Sequence, residues 1–110
     1  MKTIEAIIRP VKLDEVLTAI EKTECSDIVV YEVKGHEGQK STGRQQRGGP
    51  YQVTLMTKIE ITTNDENVEQ IKTAVASSAK TGKSGDGKIF VYDISRTHEI
   101  HAGGAEDQTT

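Results

Sequence analysis

Apolar and polar positions alternate along this chain with two different periods. TIEAIIRP, near the N-terminus, is a short β-rich run closed by Pro10, and Leu13, Val16, Leu17 and Ile20 then recur at helical spacing. Asp14 and Glu15 fall in that helix's first turn, where the dipole favours negative charge. DIVVYEVKG, dense in β-branched residues, predicts a second strand. YQVTLMTKIEITT predicts a third, with Val53, Leu55, Ile59 and Ile61 on one face. Asn64 or Asp65 can cap a second helix whose stripe is Val68, Ile71 and Val75, and KIFVYDIS predicts a fourth strand. The tail AGGAEDQTT is small, polar and expected to fray.

This order, β-α-β-β-α-β, implies an α+β, ferredoxin-like domain: a four-stranded antiparallel sheet with both helices on one face. The opposite sheet face then needs a cover, most simply further subunits. Composition points the same way. The chain has 110 residues, one domain's worth, of which 34% are apolar, with no Trp and a single Phe. Burial shared between subunits suits so thin a core. We read residues 1–110 as one domain, with a long loop over about residues 37–54 and a tail over about residues 102–110.

Charge and cysteine content remove several function classes. A net charge of −3 gives no basic surface for nucleic acid and no polybasic membrane anchor. No apolar run approaches the roughly 18 residues that span a bilayer, and MKTIEAIIRP lacks a signal-peptide layout. Cys25 is the single cysteine, so no intrachain disulfide or thiol zinc cluster can form. We expect a cytoplasmic protein without a metal site, Cys25 being structural or incidental. His98, Glu99 and His101 could suggest such a site, but residues 98 and 101 point to opposite faces of an extended segment and would need a bend to share a metal. A polar C-terminal segment is the favoured reading.

Two loops carry the candidate chemistry. GHEGQKSTGRQQRGGP, residues 35–50, has five glycines and no aliphatic side chain, and sets Lys40, Arg44 and Arg47 against Glu37. A stretch of that length without structure is a functional loop or disorder. TGKSGDGKIF, residues 81–90, satisfies the phosphate-loop pattern G-x-x-x-x-G-K through Gly82, Gly87 and Lys88, but Ile89 stands where a magnesium-binding hydroxyl belongs. The order is also reversed, because this loop leaves a helix and enters a strand, so no helix N-terminus faces the anion. What survives is a nest of glycine N–H groups with Lys83 and Lys88 beside it. A plain turn with Gly82 as C-cap explains the local features equally well.

TGKSGDGKIF, IEAIIRPVKLDEV and EVKG (residues 32–35) together resemble the PII signal-transduction family. The likeness runs in order through Gln39-Lys40, Arg47-Gly48, Tyr51 and the KIEI of residues 58–61. The resemblance implies a regulatory homotrimer, not an enzyme, with adenine nucleotides (AMP, ADP or ATP) in clefts between subunits and a long loop that touches a partner transporter or enzyme. Carried over position by position, Gly85, Asp86, Gly87 and Lys88 would wrap the phosphates. Ile7, Gly35, Glu60 and Thr62 would lie around adenine and ribose. Gln39 would stand beside magnesium and a 2-oxoglutarate effector next to ATP. Lys40, Arg44, Arg47 and Tyr51 fall on the projecting loop, Tyr51 matching a nucleotidylated position in some members.

The chain departs from the family pattern where phosphate-binding arginines are usual. Gly38 precedes Gln39-Lys40, and Glu99 and His101 stand after the last sheet strand. Glu99 repels a γ-phosphate, and His101 contacts phosphate only when protonated. We therefore expect ADP or AMP to bind at least as well as ATP. The segment after Tyr51 is about two residues shorter than usual and omits an apolar-Pro-Lys run whose lysine helps hold 2-oxoglutarate in the family. This makes an inorganic-carbon (bicarbonate) sensor the alternative reading. A small ATPase is disfavoured by Ile89 and by the absence of a visible second acid. RNA binding is disfavoured because Tyr31, Phe90 and Tyr92 are too few and wrongly spaced for base stacking.

Overall fold

The computed structural model describes residues 1–25, 27–36, 53–101 and 107–109. Strand β1 spans Lys2–Ile8, and a 3₁₀ turn at Pro10–Lys12 leads into helix α1, Leu13–Glu21. Strands β2 (Asp27–His36) and β3 (Val53–Thr63) follow, then a second 3₁₀ turn at Asp65–Asn67 and helix α2, Val68–Ala79. Strand β4 is Gly87–Asp93, and Arg96–His98 (β5) pairs with Asp107–Thr109 (β6).

The main sheet has the order β2-β3-β1-β4 and every pairing is antiparallel. The predicted ferredoxin-like topology is therefore the observed one. Period-2 alternation decides the faces: Ile4, Ala6 and Ile8 of β1, with Ile59 and Ile61 of β3, turn towards the helices. They meet Val16 and Ile20 of α1 and Val68, Ile71, Val75 and Ala79 of α2 in one core, where the six buried isoleucines supply the largest fully buried side chains. Each fully buried Ile contributes about 1.5–3 kcal/mol of transfer free energy. Cys25 packs partly buried against the same core.

Three local expectations are corrected. Val53 and Leu55 are 59% and 54% exposed, because the β2–β3 hairpin runs past the edge of the helical layer and has no core to cover there. Neither Asn64 nor Asp65 caps α2: the helix is entered through the 3₁₀ turn without a side-chain cap, and the Asp65 carboxylate instead accepts from the Met1 ammonium at 2.8 Å. The tail does not fray throughout, since Asp107–Thr109 returns to pair with β5.

Candidate functional site

The glycine loop is built around one carboxylate. Helix α2 stops at Ala79 with Lys80 already extended, so Gly82 is not its C-cap. The chain then folds over Asp86, whose carboxylate accepts from the Thr81 backbone N–H at 2.8 Å, the Gly82 N–H at 3.0 Å and the Thr81 hydroxyl. Arg9, in the residue following β1, closes the ring: its Nε donates to Asp86 Oδ1 at 3.0 Å and its Nη2 to the Ser84 carbonyl at 3.0 Å. These donors, with the Thr81 hydroxyl foremost, hold the Asp86 carboxyl far below its ordinary value of 3.8. The Lys83 N–H is also engaged, by the Thr81 hydroxyl oxygen at 3.2 Å. The first half of the loop thus uses its amides internally, and an anion would meet the second half.

That second half faces a cleft of about 660 Å³, lined by Ile7, Arg9, Pro10 and Val11 after and within β1, Gly35 of β2 and Thr54, Leu55 and Met56 of β3, with Gly85, Gly87, Lys88 and Phe90 closing it. The volume lies within the range of small-ligand sites. Register explains why these residues meet: Ile7 pairs with both Lys58 and Lys88, and Ile8 with Gly87, so β1 carries the loop to the foot of the β2–β3 hairpin. Gly87, paired with Ile8, lies so close to β1 that a Cβ there would stand 1.8 Å from the Ile7 carbonyl oxygen.

The fold brings Ile7, Gly35, Gly85, Gly87 and Lys88 together at this cleft. The Asp86 side chain turns away from it, into the loop's own hydrogen bonds and beside a smaller hollow of about 310 Å³ against Val75 and Ala79. Glu60 and Thr62 do not line the cleft: they lie further along the outer sheet face, opposite Glu5 and Thr3 of β1. His101 follows β5, 3.8 Å from Glu99, and does not line the cleft. Gln39, Lys40, Arg44, Arg47 and Tyr51 lie outside the described residues.

Sequence reasoning missed Arg9, because nothing in IIRP says that its guanidinium reaches a carboxylate 77 positions away. It also missed a polar cluster on the outer face. There the Tyr31 hydroxyl donates to Glu60 at 3.0 Å and the Tyr92 hydroxyl to Glu5 at 2.6 Å. Lys58 sits between these carboxylates, 3.8 Å from Glu5 and 3.9 Å from Glu60, and 4.7 Å from the centre of the Tyr31 ring. Each tyrosine's pKa is raised, first by its hydrogen bond to the carboxylate. Among the described residues no group of His, Cys, Asp and Glu has the arrangement of a metal site.

The family model described as nitrogen regulatory protein P-II matches residues 1–104, the loop and both walls of the cleft included. The chain belongs to the nitrogen regulatory protein P-II family. The nitrogen regulatory protein P-II of Pasteurella multocida is 44% identical over 105 residues, 94% of either chain. Nitrogen regulatory protein P-II 2 of Methanothermobacter thermautotrophicus is 43% identical over 105 residues, covering 94% of this chain and 91% of its own. Nitrogen regulatory protein P-II 1 of Escherichia coli K12 is 41% identical over 109 residues, 97% of each. Relatives of this P-II chain are thus named as regulatory proteins and not as enzymes, and nothing in the comparisons speaks for the inorganic-carbon alternative. No helix among its described residues is long and apolar enough to cross a membrane.

Proposed function

We propose that this P-II protein is a nucleotide-responsive regulator, taking ADP or AMP at least as well as ATP at the cleft between the glycine loop and the β2–β3 hairpin. The observation that carries this reading is the cleft itself. Its floor offers Gly85, Gly87 and the Lys88 ammonium at one end, and its apolar wall of Ile7, Leu55, Met56 and Phe90 suits a flat base. Lys88 and the glycine amides hold phosphate, and Ile7 and Gly35 hold the base and ribose.

Glu60 and Thr62 complete the site from a neighbouring subunit of a homotrimer. The outer sheet face gives that assembly its physical motive, since Val29, Tyr31, Phe90 and Tyr92 are all at least 40% exposed in the single chain. Glu99 beside His101 brings negative charge to the C-terminal segment and disfavours a third phosphate. Magnesium and 2-oxoglutarate would enter with ATP, beside Gln39. The loop around residues 37–54, bearing Lys40, Arg44, Arg47 and Tyr51, contacts the target transporter or enzyme, and occupancy of the cleft governs its order.

Calorimetric titration with AMP, ADP and ATP tests the reading, alongside the oligomeric mass by analytical ultracentrifugation. Lys88→Ala removes a charge-assisted contact worth about 1.5–3 kcal/mol, so its dissociation constants rise by about tenfold or more. Absence of heat and of any melting shift with all three nucleotides would sink the proposal.

A further inference from the structure

Twelve described residues line the cleft, and their charges are one-sided: Arg9 and Lys88 are cationic and none is acidic. An adenine nucleotide brings two or more negative charges, which one ammonium cannot match. Arg9 is the other cation among the described lining residues, and its guanidinium is only partly committed. Nε is taken by Asp86 and Nη2 by the Ser84 carbonyl, while Nη1 has no hydrogen-bond partner among the described residues. The guanidinium lies flat against the loop because Gly85 has no side chain; a Cβ there would stand 3.2 Å from Nη2 and 3.9 Å from Nη1. Arg9 is about one-third exposed, so the free edge remains open to a ligand.

We propose that Arg9 is the second phosphate-reading residue of this cleft, its guanidinium divided between bracing the glycine loop and donating from Nη1 to a phosphate oxygen. This rests on the nucleotide reading above. A planar fork can do both at once, with two donors fixed to the loop and the third held at a set distance from Gly85 and Lys88. The Asp86 carboxylate then serves phosphate binding indirectly: it keeps the guanidinium in register, and the fork in turn fixes the loop. Lysine at position 9 would retain the charge and lose the division of labour, having one nitrogen for both tasks.

The test compares wild type with Arg9→Gln and Arg9→Lys, titrated with adenosine, AMP, ADP and inorganic pyrophosphate. Amide exchange at Thr81 and Gly82, read by NMR, reports the brace, and thermal midpoints at one protein concentration confirm that each variant is folded. Arg9→Gln is expected to weaken ADP and pyrophosphate by about tenfold or more and to leave adenosine unchanged. It should also speed exchange of both amides. Arg9→Lys is expected to recover part of the ADP affinity without restoring slow exchange. Unchanged ADP and pyrophosphate affinity in Arg9→Gln overturns the proposal, as does an equal loss for adenosine and ADP in a folded variant. A wild type that takes pyrophosphate but no adenosine compound sinks the nucleotide reading alone, and the pyrophosphate comparison then decides on Arg9. A wild type that binds none of the four overturns both.

Discussion

Replacing Gly87 by alanine tests the geometry of the loop-to-strand junction more sharply than any other single change. Gly87 has φ of +117°, outside even the left-handed helical region that Asn or Asp tolerate, and holding a side chain there costs about 1–3 kcal/mol. Space is the second problem. The new methyl would meet the Ile7 carbonyl oxygen at 1.8 Å and its carbon at 2.9 Å, both backbone atoms that no rotamer change can move. The strand must separate from β1 where Gly87 pairs with Ile8, losing ladder bonds of about 1 kcal/mol each. Together these give about 3–5 kcal/mol, a large part of a typical 5–15 kcal/mol stability. Gly82 is the internal control. It has φ of +91° but nothing within 4 Å of an added Cβ, so Gly82→Ala carries the conformational cost alone, about 1–2 kcal/mol. Urea and thermal unfolding of both variants, at one protein concentration because assembly shifts the midpoint, measure the difference. Gly87→Ala destabilising no more than Gly82→Ala would refute the close approach of Gly87 to β1.

Two further predictions concern charge. Because the folded protein lowers the Asp86 pKa, the ionised carboxylate stabilises the fold above the ordinary value of 3.8, and that contribution disappears only as pH falls through the lowered folded value. Asp86→Asn is therefore less stable than wild type by a constant margin from pH 7 to 5, with the gap in melting midpoint narrowing only below 3.8; narrowing at higher pH contradicts the hydrogen-bonded ring around Asp86. On the outer sheet face, the Glu60 carboxylate raises the Tyr31 pKa above 10.0 by accepting its hydroxyl, so this bond supports the fold below pH 10 and is lost as pH rises through the folded value. Glu60→Gln should move one tyrosine's ultraviolet titration to lower pH and leave the Glu5-bound Tyr92 raised; unchanged curves would mean that the Tyr31–Glu60 bond does not form in solution.

Much of the fold was legible because its cause is local and periodic. The stripe Leu13, Val16, Leu17, Ile20 has the spacing of one buried helix face, and Ile4, Ala6, Ile8 with Ile59 and Ile61 alternate as a half-buried sheet must. The glycine loop's place between α2 and β4 was legible from Gly82, Gly87 and the strand that follows, and with it the absence of a helix N-terminus at the loop. Long-range partners were not legible. Arg9 is a generic cation in the sequence and becomes part of the site only because β1 and β4 pair in a register that sets Ile8 opposite Gly87. Nothing in GDGK says where the Asp86 side chain goes, and it turns into the loop because three donors from Thr81 and Gly82 converge on it.

The sequence by itself determined the element order, the core stripes and the residue types of the cleft floor, since these follow from side-chain periodicity and from glycine's backbone freedom. Only the tertiary structure decided which charges meet. Pairing of Lys58 with Glu5 and Glu60 depends on strand register, since a single-residue slip of β3 against β1 would send Lys58 and Glu60 to the opposite face of the sheet. Arg9 meets Asp86 only because the pairing of β1 with β4 brings the residue after one strand to the loop before the other.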